Sequence, residues 1–263
     1  MSTAKENLER YRTFLKTIPL KSYREELQKV KWVEQDLPPE IQPLESIYRN
    51  YWDTQNFLCF EEWFENFWNE INRDPIKLPI LKEFKKYYFD KNNNGWFKKG
   101  FKARMYRQWV SMLTQLDFCY ALACQSEKEG ENLTLECNAE LDRKNIDVKI
   151  GDIGFQVAKI SQRKEARTGK SKKKGKIEII TIPYPIYNLE EFKRLSESTR
   201  ARQENRDAYK KVLKAFYKYL EIFDNGFVVF GENYITPIVK NIDKIERIKE
   251  TVVGISKELS GEF

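Results

Sequence analysis

The sequence predicts a mixed α/β fold with a helical N-terminal part, and three observations carry that reading. Between residues 3 and 124 apolar side chains recur mostly at helical spacing. Residues 146–158 then alternate apolar and polar around a Gly-containing turn, the pattern of a β-hairpin. Ile177 to Tyr184 is a β-rich apolar run that continues the sheet, and charged helical segments follow it. A central mixed sheet flanked by helices is expected, with residues 1–100 as a helical subdomain and 101–263 as the second domain, or with the two as one continuous domain.

The elements follow in order. Residues 3–30 read as helix, with Leu8, Tyr11, Phe14 and Leu15 on one face and a break near Ile18-Pro19. Leu37-Pro38-Pro39 and Gln42-Pro43 mark an irregular connection. Trp63, Phe64, Phe67 and Trp68 recur at i, i+1, i+4, i+5 within an aromatic-rich stretch from Tyr48 to Ile71, a helix face that must be buried. Lys91-Asn92-Asn93-Asn94-Gly95 reads as a loop. Phe101 to Cys124 is the longest helical candidate, with Met105, Trp109, Leu113, Leu116 and Tyr120 on one face. Pro183 and Pro185 end the strand at Tyr184, since proline gives no ladder donor. Glu190 to Ile222 reads as one charged helix, Asp224-Asn225-Gly226 as a turn into a strand at 227–230, and 241–259 as the last helix.

The hairpin carries the chemistry. Ile146, Val148 and Ile150 alternate with Asp147 and Lys149; after Gly151-Asp152-Ile153-Gly154, Phe155 and Val157 alternate with Gln156 and Ala158. With Asp152 and Ile153 as the central turn residues, Ile150 faces Phe155, Lys149 faces Gln156 and Asp147 faces position 158. Asp142 precedes this unit and Lys159 ends it. Acid, turn, then a polar-x-polar strand is how many metal-dependent nucleases hold Mg2+ against a phosphodiester, with carboxylate and carbonyl oxygens as hard ligands and a lysine to stabilise charge. Amphipathic hairpins with a surface Asp and Gln also occur in ordinary α+β domains, so the spacing leaves both readings open.

Composition narrows them. The 263 residues are 41% hydrophobic, 14% aromatic and 33% charged, enough apolar material for a substantial core. The net charge is +7, and Ser161–Lys176 alone holds eight Lys or Arg against one Glu, including Arg163, Lys164 and Arg167. Such a Lys, Gly and Ser loop suits a polyanion, or simply a solvated face. The chain has no histidine, which excludes Ser-His-Asp, Cys-His and His-metal chemistry. Cys59, Cys119, Cys124 and Cys137 form no C-x-x-C pair and read as buried free thiols. No signal peptide is visible, and no apolar run approaches the ~18 residues that would span a membrane, so a cytoplasmic protein is expected.

Several stretches resemble the TaqI family of type II restriction endonucleases. They are Val33-Glu-Gln-Asp-Leu-Pro with Tyr48-Arg-Asn-Tyr-Trp52, Ala103-Arg-Met-Tyr-Arg107 with Thr114-Gln115 and Phe118-Cys-Tyr120, then Glu140-Leu-Asp142, Ile146-Asp147, Gln156-Val157, Ile179 to Tyr184 and Asn225-Gly-Phe-Val-Val-Phe230. The resemblance implies a PD-(D/E)XK fold, Mg2+-dependent cleavage of double-stranded DNA at the palindrome T-C-G-A, a homodimer, and a cognate methyltransferase in the host. It carries metal-ligand roles to Asp142 and Asp147 and the polar strand position to Gln156. The loop from Arg163 is then expected to grip phosphates, and Arg200, Arg202, Asn205 and Arg206 are candidates for groove contacts.

The chain departs from the family at the lysine. The family strand reads Gln, an aliphatic residue, then two lysines, whereas here it reads Gln156-Val157-Ala158-Lys159. Alternation puts Ala158 beside Gln156 and Lys159 on the opposite side. Either a bulge near residue 157 swings Lys159 into the site, or a Lys-to-Ala change has inactivated it, which the chemical blankness of alanine favours. The alternatives to a restriction enzyme are a structure-selective repair nuclease on the same hairpin and a non-catalytic DNA- or RNA-binding protein on a nuclease scaffold.

Overall fold

Proline, glycine and aromatic spacing set the boundaries of the N-terminal helices. In a computed structural model, which describes residues 3–27, 30, 37–88, 94–131, 133–161 and 172–261, α1 (Ala4–Thr17) and α2 (Leu20–Leu27) are separated at Ile18-Pro19. There follow α3 (Leu44–Tyr48), α4 (Phe60–Arg73), α5 (Lys77–Tyr88) and the long α6 (Asn94–Lys128). Asn94 and Gly95, expected in a loop, begin α6. The reason is that Phe97 and Phe101 extend the apolar pattern N-terminally and are buried.

The rest of the chain forms α7 (Ala139–Arg143), β1 (Val148–Ile150), β2 (Ile153–Lys159), β3 (Lys172–Lys174), β4 (Ile177–Tyr184), α8 (Leu189–Glu197), α9 (Gln203–Tyr219), β5 (Leu220–Ile222), β6 (Val228–Phe230), α10 (Glu232–Val239) and α11 (Ile245–Ser260). The single charged helix expected over 190–222 is thus two helices and a strand. Asn188 caps α8 by accepting the Glu191 N–H, and after α9 Leu220–Ile222 pairs with β6, so sheet bonds replace helical ones. α10 was not foreseen, because Pro237 masks its apolar face, and the last helix starts at Ile245 instead of Asn241.

The chain forms two compact units. One comprises 13–116 with 224–226, the other 1–12, 117–223 and 227–263. The residue-100 boundary expected from the sequence falls inside α6, where no composition change marks the end of either unit. In the first unit the regular aromatic spacing of α4 becomes core: Phe60, Trp63, Phe64 and Phe67 are buried, and Trp63 stacks on Phe67 at 5.4 Å. The buried polar ends are satisfied, Trp109 Nε1 donating to Tyr51 Oη at 2.9 Å and Trp63 Nε1 to Ser46 Oγ at 3.1 Å. Asn225 donates to the carbonyls of Leu15 and Ile18 at 2.7 and 2.9 Å, closing the end of α1.

The second unit is built on a four-stranded sheet in the order β1-β2-β4-β3. β2 and β4 are parallel, while β1 and β3 run antiparallel to their neighbours, so the sheet is mixed. One face, carrying Val148, Phe155, Val157, Ile180, Ile182 and Tyr184, packs on aromatic neighbours: Phe118 meets Phe155 at 5.9 Å and Phe230 meets Tyr184 at 6.2 Å. A partly buried ion pair joins this core to α1. Asp117, fully buried, accepts from Arg12 Nε at 2.9 Å and from the Phe230 N–H at 2.8 Å.

Candidate functional site

The segment from Asn138 to Lys159 builds the site from local rules. Asn138 Oδ1 caps α7 by accepting the Leu141 N–H at 2.9 Å. The helix ends in a Schellman motif: Ile146 N–H bonds Leu141 O at 3.0 Å, Asn145 N–H bonds Asp142 O at 2.7 Å, and Asn145 takes the left-handed conformation at φ 61°. Ile146 packs on Leu141 and Ile179, the apolar contact that accompanies this motif. Asp142 therefore leaves from the last turn of a short helix and Asp147 from the residue just past its closure.

The hairpin register differs from the one expected. Val148 pairs with Phe155, Lys149 with Gly154 and Ile150 with Ile153, a slip of two residues that makes Gly151-Asp152 the turn. Gly151 at φ 57° explains it: the left-handed conformation sits with the residue that carries no Cβ. Asp147 is consequently not opposite Ala158.

A bulge is present, but on the other strand. Lys149 exchanges both backbone bonds with Glu136, so Val148 and Ile150 turn theirs toward β2; the Asp147 N–H also reaches Phe155 O, at 2.8 Å. Two residues thus stand against one. The side chain of Ile146 confirms the break in alternation, since it lies where a Cβ on Gly154 would point, 3.1 Å from it, on the face opposite Val148. By contrast β2 pairs with β4 residue by residue from Ile153 to Lys159. No extra residue near 157 swings Lys159 across, and it keeps the side of Phe155 and Val157.

With β1 ended by the bulge, the next ladder donor of β2 lacks a backbone partner, and a carboxylate replaces it. Asp147 Oδ2 accepts the Val157 N–H at 2.6 Å while Asp147 is 2% exposed. Gln156 and Ala158 share the face of Gly154 and are buried. Thr181, buried and in register with Gln156, stands beside it on β4; the only sequence signal for it is one hydroxyl inside an isoleucine run. Asp142 and Lys159 are half-buried. Glu140 faces solvent and pairs with Lys144 at 2.5 Å.

Cys119 lies under the bulge, its Sγ 3.8 Å from Asp147 O. Burial pushes its thiol well above the ordinary range, and neighbouring Cys137 and Asp147 push it further, so it stays protonated and is no nucleophile. Cys119 and Cys137 are buried as expected, whereas Cys59 is exposed and Cys124 half-buried.

The expected DNA-contact residues are distributed as follows. Arg163, Lys164 and Arg167 lie outside the described residues; the end of that basic segment, Lys172–Lys174, forms β3 as an edge strand rather than loop. Arg200, Arg202 and Asn205 are exposed at the α8–α9 connection. Arg206 is half-buried and bonds the Ser198 carbonyl at 3.2 Å and Gln203, holding that connection together. Among the described residues no three Asp, Glu, Cys or His side chains converge as a metal cluster, and no helix is long and apolar enough to cross a membrane.

Comparison with known proteins agrees with the residues quoted above. The chain is 35% identical over 244 residues to the type II restriction enzyme TthHB8I of Thermus thermophilus, covering 88% of this chain and 86% of that protein. It is 34% identical over 245 residues to the type II restriction enzyme TaqI of Thermus aquaticus, covering 89% and 88%. No solved structure matches the chain. The family model described as TaqI restriction endonuclease matches residues 8–242, and with Asp142, Asp147 and Gln156 all inside that span the chain belongs to the TaqI restriction endonuclease family.

Proposed function

We propose that this chain is a type II restriction endonuclease of PD-(D/E)XK architecture that acts, as a homodimer, on double-stranded DNA at T-C-G-A with Mg2+, alongside a cognate methyltransferase. The observation that carries this reading is Asp147: a carboxylate held in a buried position by the Val157 N–H, beside a strand whose Gln156 and Ala158 share one face. The Val157 N–H holds one oxygen of that carboxylate in place at the end of the broken ladder.

The donor set fits a hard divalent cation. Asp142 and Asp147 offer carboxylate oxygens and Gln156 an amide oxygen, with no imidazole in the chain. Mg2+ is commonly held by one or two carboxylates with water completing its shell, which suits the two acids assigned here. A bound divalent ion there supplies neutralisation of phosphate charge and acidification of water.

The chain's own residues do the rest. Hydrolysis forms a bond from a water oxygen to phosphorus and breaks the bond to the leaving sugar oxygen, which takes up a proton. The Val157 N–H fixes one oxygen of Asp147, so that carboxylate is oriented before substrate arrives. Charge developing on the phosphate calls for an ammonium on the Gln156 face, and Ala158 provides none. Lys159 belongs to the other face. We therefore read this chain as a DNA binder whose cleavage is impaired at position 158, which also leaves room for a non-catalytic binding role.

The test compares this chain with its Ala158→Lys variant on T-C-G-A and scrambled duplexes at one stated salt concentration, with Mg2+. Strong preference for T-C-G-A by both, and cleavage at least ~100-fold faster by the variant, is the expected result. Equal cleavage by both sinks the role given to position 158. Equal binding to both duplexes, with a steep salt dependence, sinks the site-specific reading.

A further inference from the structure

We propose that Thr181 is a positioning residue of this site: its hydroxyl orients the Gln156 amide toward the cation held by Asp147. The inference rests on the proposed metal site. It comes from a row of buried polar groups crossing three chain segments at one level of the sheet. The bulge at β1 contributes Asp147, β2 contributes Gln156 and β4 contributes Thr181.

Each member of the row is buried, with exposures of 2% for Asp147, 7% for Gln156 and 2% for Thr181. Gln156 and Thr181 are partners in the parallel register, so their side chains rise from the same face one strand spacing apart. The chain around Thr181 is Ile179-Ile180-Thr181-Ile182, and both isoleucines that flank it directly are fully buried. A hydroxyl on a residue 2% exposed needs a hydrogen-bond partner, and valine would fill the same volume without that need. The neighbour in register, Gln156, is a flexible amide with both donor and acceptor atoms. Bonding its amide group to a threonine whose rotamer is restricted by its branched Cβ would fix which atom points along the sheet toward Asp147. Groups that orient ligands in this way are typically worth ~10- to ~100-fold in metal affinity.

The experiment measures Mn2+ binding to the full chain by isothermal titration calorimetry in the presence of uncleaved T-C-G-A duplex, for the wild type, Thr181→Val and Thr181→Ser, with thermal midpoints recorded for each. Thr181→Val is expected to weaken Mn2+ binding by ~10-fold or more, with Thr181→Ser within ~2- to ~3-fold of wild type, because serine restores the hydroxyl. A midpoint change alone, with Mn2+ affinity equal in all three proteins, overturns the positioning role and makes Thr181 a packing residue. Equal weakening by Val and Ser overturns it too, since that traces the effect to shape. Failure of the wild type itself to bind Mn2+ overturns the metal site instead.

Discussion

The carboxylate of Asp147 accepts the main-chain N–H of Val157 at 2.6 Å, taking the place that a β1 carbonyl would hold if the strand did not bulge. One side chain thereby serves both the fold and the proposed chemistry, and substitutions can separate the two. Asp147→Ala should destabilise the chain by about 2 kcal/mol, the cost of leaving a buried N–H unmade. Asp147→Asn keeps an acceptor for Val157 and should lose less than half of that. Both should abolish metal binding. Urea unfolding of the three proteins measures the first effect and calorimetry the second; equal stability in Asn and Ala variants would contradict the ladder role.

Position 158 carries the opposite trade. Ala158 is 4% exposed and paired in register with Pro183. Installing lysine there adds an ammonium and three carbons to a filled place, so Ala158→Lys should gain cleavage while losing about 1–3 kcal/mol of stability. The comparison is made without metal or DNA, by urea unfolding, so that ligand binding does not mask the loss. A variant as stable as the parent would mean that this face has more room than Ala158 uses.

Alkaline pH should unfold the helical unit through its tyrosines. Burial pushes the Tyr106 phenol up to about 12, and it raises Tyr23 and Tyr51 further still, with Glu61 adding to the shift at Tyr23. These folded-state values lie above the ordinary ~10 of an unfolded chain. Their contribution to stability is therefore complete below pH ~10 and is lost as pH rises through about 12 and beyond. Phenolate absorbance and circular dichroism, followed together, should show a set of phenols that ionises only as helix is lost. Ionisation of every tyrosine near pH ~10 with helix intact would refute the burial argument.

Two glycines should respond oppositely to alanine. Gly254 lies inside α11 with nothing within 4 Å of an added Cβ. Gly254→Ala should stabilise by about 0.5–1 kcal/mol through helix propensity alone. Gly154 lies in β2, and an added Cβ would meet Ile146 at 3.1 Å and Ile177 at 3.2 Å. Gly154→Ala should cost about 1–3 kcal/mol and disturb the bulge that sets Asp147. Thermal midpoints for the pair give the two signs directly.

Much of this was legible in the chain. Helical spacing at Trp63, Phe64, Phe67 and Trp68 foretold a buried face, and the run 177–184 became β4 without change of bounds. Local rules sufficed there because burial and period are written residue by residue. The hairpin could be seen, but its register could not. Gly151-Asp152 and Asp152-Ile153 are both credible turn centres, and the choice rests on which residue takes positive φ and on the Glu136 bridge to Lys149, a contact from outside the hairpin. The same holds for 190–222, where one charged pattern contains two helices and a strand that exists only because β6 pairs with it.

For function the division is similar. The absence of histidine, the two acids Asp142 and Asp147, Gln156 and the missing lysine at 158 are properties of the sequence, and they bound the chemistry by themselves. Only the tertiary structure decided that Asp147 is a bulge residue bonded to Val157, that Lys159 stays on the face of Phe155, and that Thr181 stands beside Gln156. Residue types are local, whereas a strand's face and neighbours depend on pairings made across the sheet. A single inserted residue at the bulge reverses that assignment for every residue before it.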